Sequence, residues 1–247
     1  MIGSDNGEQA WFPKGTVLGS LSENDAFEFV RTLIACGNEA DAVKVIEKAP
    51  KIARLADSSG LTLMMDAIFY RMERLAVRLM QASDPSSKNK AGKTLLMMAA
   101  CHQLPELALA LLPLSDPSAK TNNGDTALHL LFDVPRRDPR EFSTIIEEMA
   151  AAGNPSERNA DGWTALHAAV NSGWIEGVEI LAPLTDLTAR AKLFGGGTAT
   201  AEEMARDGAG AQPSKLAMLD MLVSTRERQA LDVATPKAAA SARRRSI

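Results

Sequence analysis

Four stretches of the chain open on threonine and share one frame: Thr62-Leu63-Met64-Met65-Asp66-Ala67, Thr94-Leu95-Leu96-Met97-Met98-Ala99, Thr126-Ala127-Leu128-His129-Leu130-Leu131 and Thr164-Ala165-Leu166-His167-Ala168-Ala169. The threonines stand 32, 32 and 38 residues apart, and a glycine lies two residues before each, at Gly60, Gly92, Gly124 and Gly162. Such a period constrains the fold strongly. Each repeat is one supersecondary unit too small to bury its own apolar face, so neighbours must stack to make a core.

Within each period the apolar spacing predicts a short helix from the threonine, a break, and a second apolar helix. The second helices read Leu75–Met80, Leu107–Leu112, Ile145–Met149 and Val178–Leu181. Polar turns follow: Ser83-Asp84-Pro85-Ser86, Ser115-Asp116-Pro117-Ser118 and Gly153-Asn154-Pro155-Ser156. Asp-Pro and Asn-Pro start turns because proline fixes its own φ and denies the preceding residue the helical region.

The ends are degenerate. Ser22 can cap a first helix carrying Phe27, Val30, Leu33 and Ile34, and Gly37 ends it. Aligning Gly37 with Gly173 places the missing threonine at Glu28. A helix with Ala42, Val43, Val45 and Ile46 follows before Pro50. At the other end, Thr200 to Ala205 reads as a last partial unit, and Pro213-Ser214 opens a closing helix with Leu216, Leu219 and Leu222. Beyond Gln229 the composition turns to Ala, Pro and Arg and ends in Arg243-Arg244-Arg245-Ser246-Ile247, where disorder is expected.

This frame resembles the ankyrin repeat over about residues 22–228. The resemblance implies an all-α repeat solenoid of about six helix-turn-helix units with short β-hairpin fingers and degenerate end repeats. The units fall at about 22–56, 57–88, 89–120, 121–158, 159–195 and 196–228, after an N-terminal segment 1–21 and before a disordered basic tail 229–247. It implies that the turns between units project as the fingers, and that His129 and His167 are structural, their imidazoles tying neighbouring units through the backbone. The usual proline after the threonine is Leu63, Leu95, Ala127 or Ala165 here, and Met65 and Met97 fill two histidine slots. Those two units are expected to have less precisely fixed turns.

The remaining chemistry is thin. His129 and His167 lie a repeat apart without a Cys, Asp or Glu at ligand spacing, so no metal is expected. Adjacent Cys101 and His102 point in different directions and lack a third orienting group. Gly92-Lys93-Thr94 imitates the end of a phosphate loop, but Ser87 stands where the motif needs glycine. Gly195-Gly196-Gly197 lacks the spacing of a dinucleotide loop. The expectation is a protein that is not an enzyme and has no cofactor. A net charge of −4 disfavours nucleic acid, and no apolar run is long enough to span a bilayer. Met1 to Ser20 holds no secretory h-region, and two cysteines without framework spacing read as buried thiols in a reducing compartment, so a cytoplasmic setting is expected.

What remains is recognition of a protein partner, with no small-molecule substrate. The resemblance implies contacts from finger tips and first-helix ends on a concave face: Leu61, Phe69 and Tyr70, then Lys93 and His102, then Asp125 and Asp133, then Asp161 and Trp163. Aromatics make up only 4% of the chain, so Trp163 and the Phe69-Tyr70 pair stand out as anchors, whereas Trp174 is expected to pack between helices. Two insertions break the period, one carrying Arg136 and Arg137, the other Phe194, and extra loop residues on a repeat array are candidate contacts. The leading expectation is a non-catalytic protein-protein interaction module or scaffold. The alternatives are an inhibitor or immunity-type protein blocking a partner enzyme, and a bacterial effector delivered to a host cell.

Overall fold

The computed structural model describes residues 22–133, 142–193, 195–210 and 213–234. The chain divides into two compact units, Met1–Asp84 and Pro85–Ile247.

In the first unit, α1 (Glu23–Ala35) and α2 (Glu39–Lys48) form a pair, a 3-10 turn covers Pro50–Arg54, and α3 (Leu63–Phe69) pairs with α4 (Glu73–Met80). The Ser22 hydroxyl accepts from the Asp25 amide at 3.1 Å, so the cap of α1 stands six residues before the threonine slot assigned to Glu28. Register is kept at the other end: Gly37 adopts φ +78°, and the Asn38 amide donates to the Leu33 carbonyl at 2.9 Å. Phe27, Val30, Ile34, Ile52, Met65 and Ile68 are buried between the pairs. Arg31 crosses this unit, donating from Nε to Asp66 Oδ2 at 2.7 Å and pairing with Asp57 at 3.1 Å. Burial pushes the Asp66 carboxyl above its ordinary value against the pull of that guanidinium.

The second unit holds α5 (Leu95–Cys101), α6 (Pro105–Leu111), α7 (Ala127–Leu131), α8 (Ser143–Ala152), α9 (Ala165–Ser172) and α10 (Ile175–Leu181), then β1 (Ala191–Lys192), β2 (Thr198–Ala199), α11 (Ala201–Ala209) and α12 (Pro213–Ala234). Helices α5, α7, α9 and α11 pack side by side in sequence order, and so do α6, α8, α10 and α12, giving two helical layers. Trp174 is fully buried between Phe132 and Phe142, both edge-on at 5.4 Å between ring centroids. Gly177 faces this cluster, where an added Cβ would lie 2.5 Å from Phe132 Cε1.

The helix-ending slot nine residues after the threonine is left-handed in three units, with Arg71 at φ +61°, Gln103 at +54° and Gly173 at +76°. Met72, Leu104 and Trp174 then donate their amides back to Ala67, Ala99 and Ala169 at 2.8–3.0 Å. Only the glycine takes this conformation without steric cost.

Three expectations are corrected. The Asp/Asn-Pro turns do not form the fingers. They are compact side-chain turns, with Asp116 and Asn154 accepting from the amides of Ser118 and Ser156 at 2.9 and 3.0 Å. The fingers are the loops just before the threonines, and among the described residues only β1 and β2 form a ladder, Ala191 opposite Ala199. Helix α12 runs past residue 228 to Ala234, so residues 229–234 are helical, and the rest of the basic tail lies outside the described residues. The turns of the methionine units are as firmly held as the others. In the four fingers before Thr62, Thr94, Thr126 and Thr164 the first residue accepts from the amides two and four residues on, Asp57 from Ser59 and Leu61 at 2.7 and 2.9 Å, Asn89 from Ala91 and Lys93 at 3.0 Å. A side chain inside the loop holds it, so the histidine is not needed for that task.

Candidate partner-binding groove

Besides the β1–β2 finger, the second unit has the fingers Asn89–Lys93, Thr121–Asp125 and Asn159–Trp163, each closed by an amide-to-carbonyl bond between its first and last residues at 2.9–3.1 Å. They are also bonded to one another. Asn122 donates to the Ala91 carbonyl at 3.1 Å, Ala160 to Asn123 at 2.9 Å, and Lys192 to Asp161 at 2.9 Å. This close approach explains Gly162, at φ +79°. A Cβ there would stand 2.8 Å from the Arg190 carbonyl oxygen.

Each buried histidine fastens a finger to the helix behind it. His129 Nδ1 accepts from the Thr126 amide at 3.2 Å, which requires the proton on Nε2, and Nε2 donates to the Trp163 carbonyl at 2.9 Å. His167 repeats the pattern with Thr164 at 3.2 Å and the Ala189 carbonyl at 3.1 Å. Burial lowers both imidazoles, His167 to about 4, so both are neutral at pH 7.

Between the fingers Thr121–Asp125 and Asn159–Trp163 and the ends of α7 and α9 lies a groove of about 380 Å³. Asp125, Asp133, Asp161 and Trp163 line it, with His129 and Phe132 deeper in. The structure thus brings together four sequence-selected residues from two units. Asn159 Nδ2 holds Asp125 Oδ1 at 2.7 Å, and Trp163 Nε1 donates to the Lys192 carbonyl at 2.8 Å, so the carboxylate and the indole wall are both fixed. Burial satisfies part of Trp163, which is half-covered, with its ring 6.3 Å from that of His167.

The other selected residues stand apart from it. Leu61, Phe69 and Tyr70 belong to the first unit, where Phe69 and Tyr70 are 56% and 46% exposed and meet edge-on at 5.1 Å. Lys93 and His102 are partly buried in the third repeat period, with Lys93 Nζ 3.9 Å from Cys101 Sγ. Burial pushes the Cys101 thiol up, away from nucleophilic use. Arg136, Arg137 and Phe194 lie outside the described residues. Among the described residues no three His, Cys, Asp or Glu side chains converge as metal ligands, and no helix is long and apolar enough to cross a membrane.

Sequence reasoning missed Asn159 and the Phe132–Phe142 clamp. Asn159 was legible as one of a series, since Asp57, Asn89, Thr121 and Asn159 each stand five residues before a unit's threonine. The clamp left no periodic signal, because Phe142 follows an insertion.

Recurring helix pairs joined by side-chain-locked fingers define a helical repeat protein. Residues 161–190, from the finger Asn159–Trp163 through α10 to the start of the next finger, match the family model described as Ankyrin repeat. No curated protein matches the chain. Ankyrin repeats are in general protein-interaction modules, which suggests that role for the matched segment.

Proposed function

We propose that the chain is a non-catalytic protein-interaction module of about six ankyrin-type units, two within residues 22–84 and four within 85–234, whose recognition surface is the groove of the second unit. The observation that carries this reading is the convergence of Asp125, Asp133, Asp161 and Trp163 from two successive finger and first-helix sets. Rigid aromatic and polar groups at such a place bind at low entropic cost. The unit count rests on the recurring finger lock, threonine cap and helix pair. Cys36 is exposed and Cys101 half-buried, so the expected burial of both thiols fails, and the reducing, cytoplasmic setting rests on their lack of framework spacing alone.

The test is selection of binding peptides from a random library on the full chain, followed by affinities for Trp163→Ala and for Phe69→Ala/Tyr70→Ala. Loss of about 2 kcal/mol or more with Trp163→Ala is expected for a hot spot. A change within about 0.5 kcal/mol, with the fold intact, removes the groove from the recognition surface.

A further inference from the structure

Resting on that reading, we infer that the groove of the second unit takes an arginine side chain from an extended segment of the partner. Three observations converge. The described lining carries three carboxylates, Asp125, Asp133 and Asp161, and no Lys or Arg. The one histidine in it, His129, is held neutral, with both ring nitrogens engaged by Thr126 and Trp163. And the wall is an indole whose position is fixed from outside the groove, by the bond of Trp163 Nε1 to the Lys192 carbonyl.

These features discriminate between cations. Asp125 is already oriented by Asn159, which leaves Asp133 and Asp161, both exposed, to receive a guest. Asp161 has only a loose partner in Lys192 Nζ at 3.6 Å, with both side chains about two-thirds exposed. Asp133 pairs with no cation among the described residues. A guanidinium is planar, donates in a fork to a carboxylate and stacks on an aromatic face, and it sheds water more readily than an ammonium. Carboxylates and indole line one cavity of about 380 Å³, room for the side chain and part of the flanking backbone. Asn123, exposed at the finger end of the lining, carries a side-chain carboxamide that suits a backbone contact.

The test titrates the full chain with a labelled peptide alternating Arg and Gly, with the same peptide carrying Lys, and with one carrying norleucine. The probed variants are the double substitution Asp133→Asn/Asp161→Asn, whose fold is checked by circular dichroism and unfolding midpoint, and Arg136→Ala/Arg137→Ala/Arg140→Ala. Saturable binding of the Arg peptide is expected, at least threefold weaker for Lys, absent for norleucine, and at least tenfold weaker in the double variant. Absence of binding, equal binding of Arg and Lys peptides, or an unchanged affinity in the double variant overturns the inference. A tenfold gain in the triple variant also overturns it, because the groove's guest is then this chain. If library peptides lose affinity with Trp163→Ala yet carry no arginine, the interaction reading stands and this inference alone fails.

Discussion

His129 and Trp163 are 34 residues apart in the chain and joined by a single hydrogen bond, imidazole Nε2 to main-chain carbonyl at 2.9 Å. The same imidazole accepts from the Thr126 amide that opens α7. One side chain thereby sets the start of a helix and the level of the next finger, and with it the Trp163 wall of the groove.

Replacing His129 with alanine leaves the Thr126 amide and the Trp163 carbonyl without this partner and opens space in a buried site. A loss of about 2–4 kcal/mol in urea unfolding is expected. A change under about 0.5 kcal/mol contradicts the bridging role.

Stability depends on pH through His167. Its folded value, about 4, lies below the ordinary 6.5, because burial disfavours the imidazolium. The unfolded chain therefore takes up the proton first as pH falls. The contribution is complete above about pH 6.5 and is lost progressively as pH drops toward 4, with a slope of about 1.4 kcal/mol per pH unit for one proton. His129 shifts in the same direction and adds to it. Unfolding free energies measured across this window are expected to fall, and His167→Gln should make the fall shallower by one proton. An identical slope in the variant refutes the assignment.

Gly177→Ala would drive a methyl group into Phe132. Overpacking of this kind costs about 1–3 kcal/mol. The double variant with Phe132→Leu should recover part of that loss, and a double-mutant cycle with no coupling would show that the two residues do not meet.

Arg71 occupies a left-handed position that Gly173 occupies in a later unit. Arg71→Gly is expected to stabilise by up to about 1 kcal/mol, and Gly173→Ala to destabilise by a similar amount. Thermal midpoints moving the other way would show that the Arg71 side chain outweighs its backbone strain.

Most of the helices were legible because threonine caps and apolar spacing act within a few residues of chain. The four finger glycines and the two histidines were legible for the same reason. The left-handed slots at Arg71 and Gln103 were hidden, since the backbone there is imposed by the amides of Met72 and Leu104 returning to the preceding helix. The finger lock is readable at Asp57, Asn89, Thr121 and Asn159, although the proline turns are the more conspicuous local signal. Of the candidate contacts, Asp125, Asp133, Asp161 and Trp163 converge, while Phe69 and Tyr70 form an exposed pair in the other unit. The groove depends on Asn159 reaching Asp125 across 34 residues, a long-range contact that local pattern does not encode.

Beside the Asn159–Asp125 contact, one bond between each pair of neighbouring fingers accepts at a main-chain carbonyl, of Ala91, Asn123 or Asp161, and the backbone does not ask which side chain it carries. The letters at those tips can therefore be rewritten while the spelling of the scaffold stays fixed. If the proposed groove is the recognition surface, partner choice at 123 and 161 is adjustable with little effect on folding.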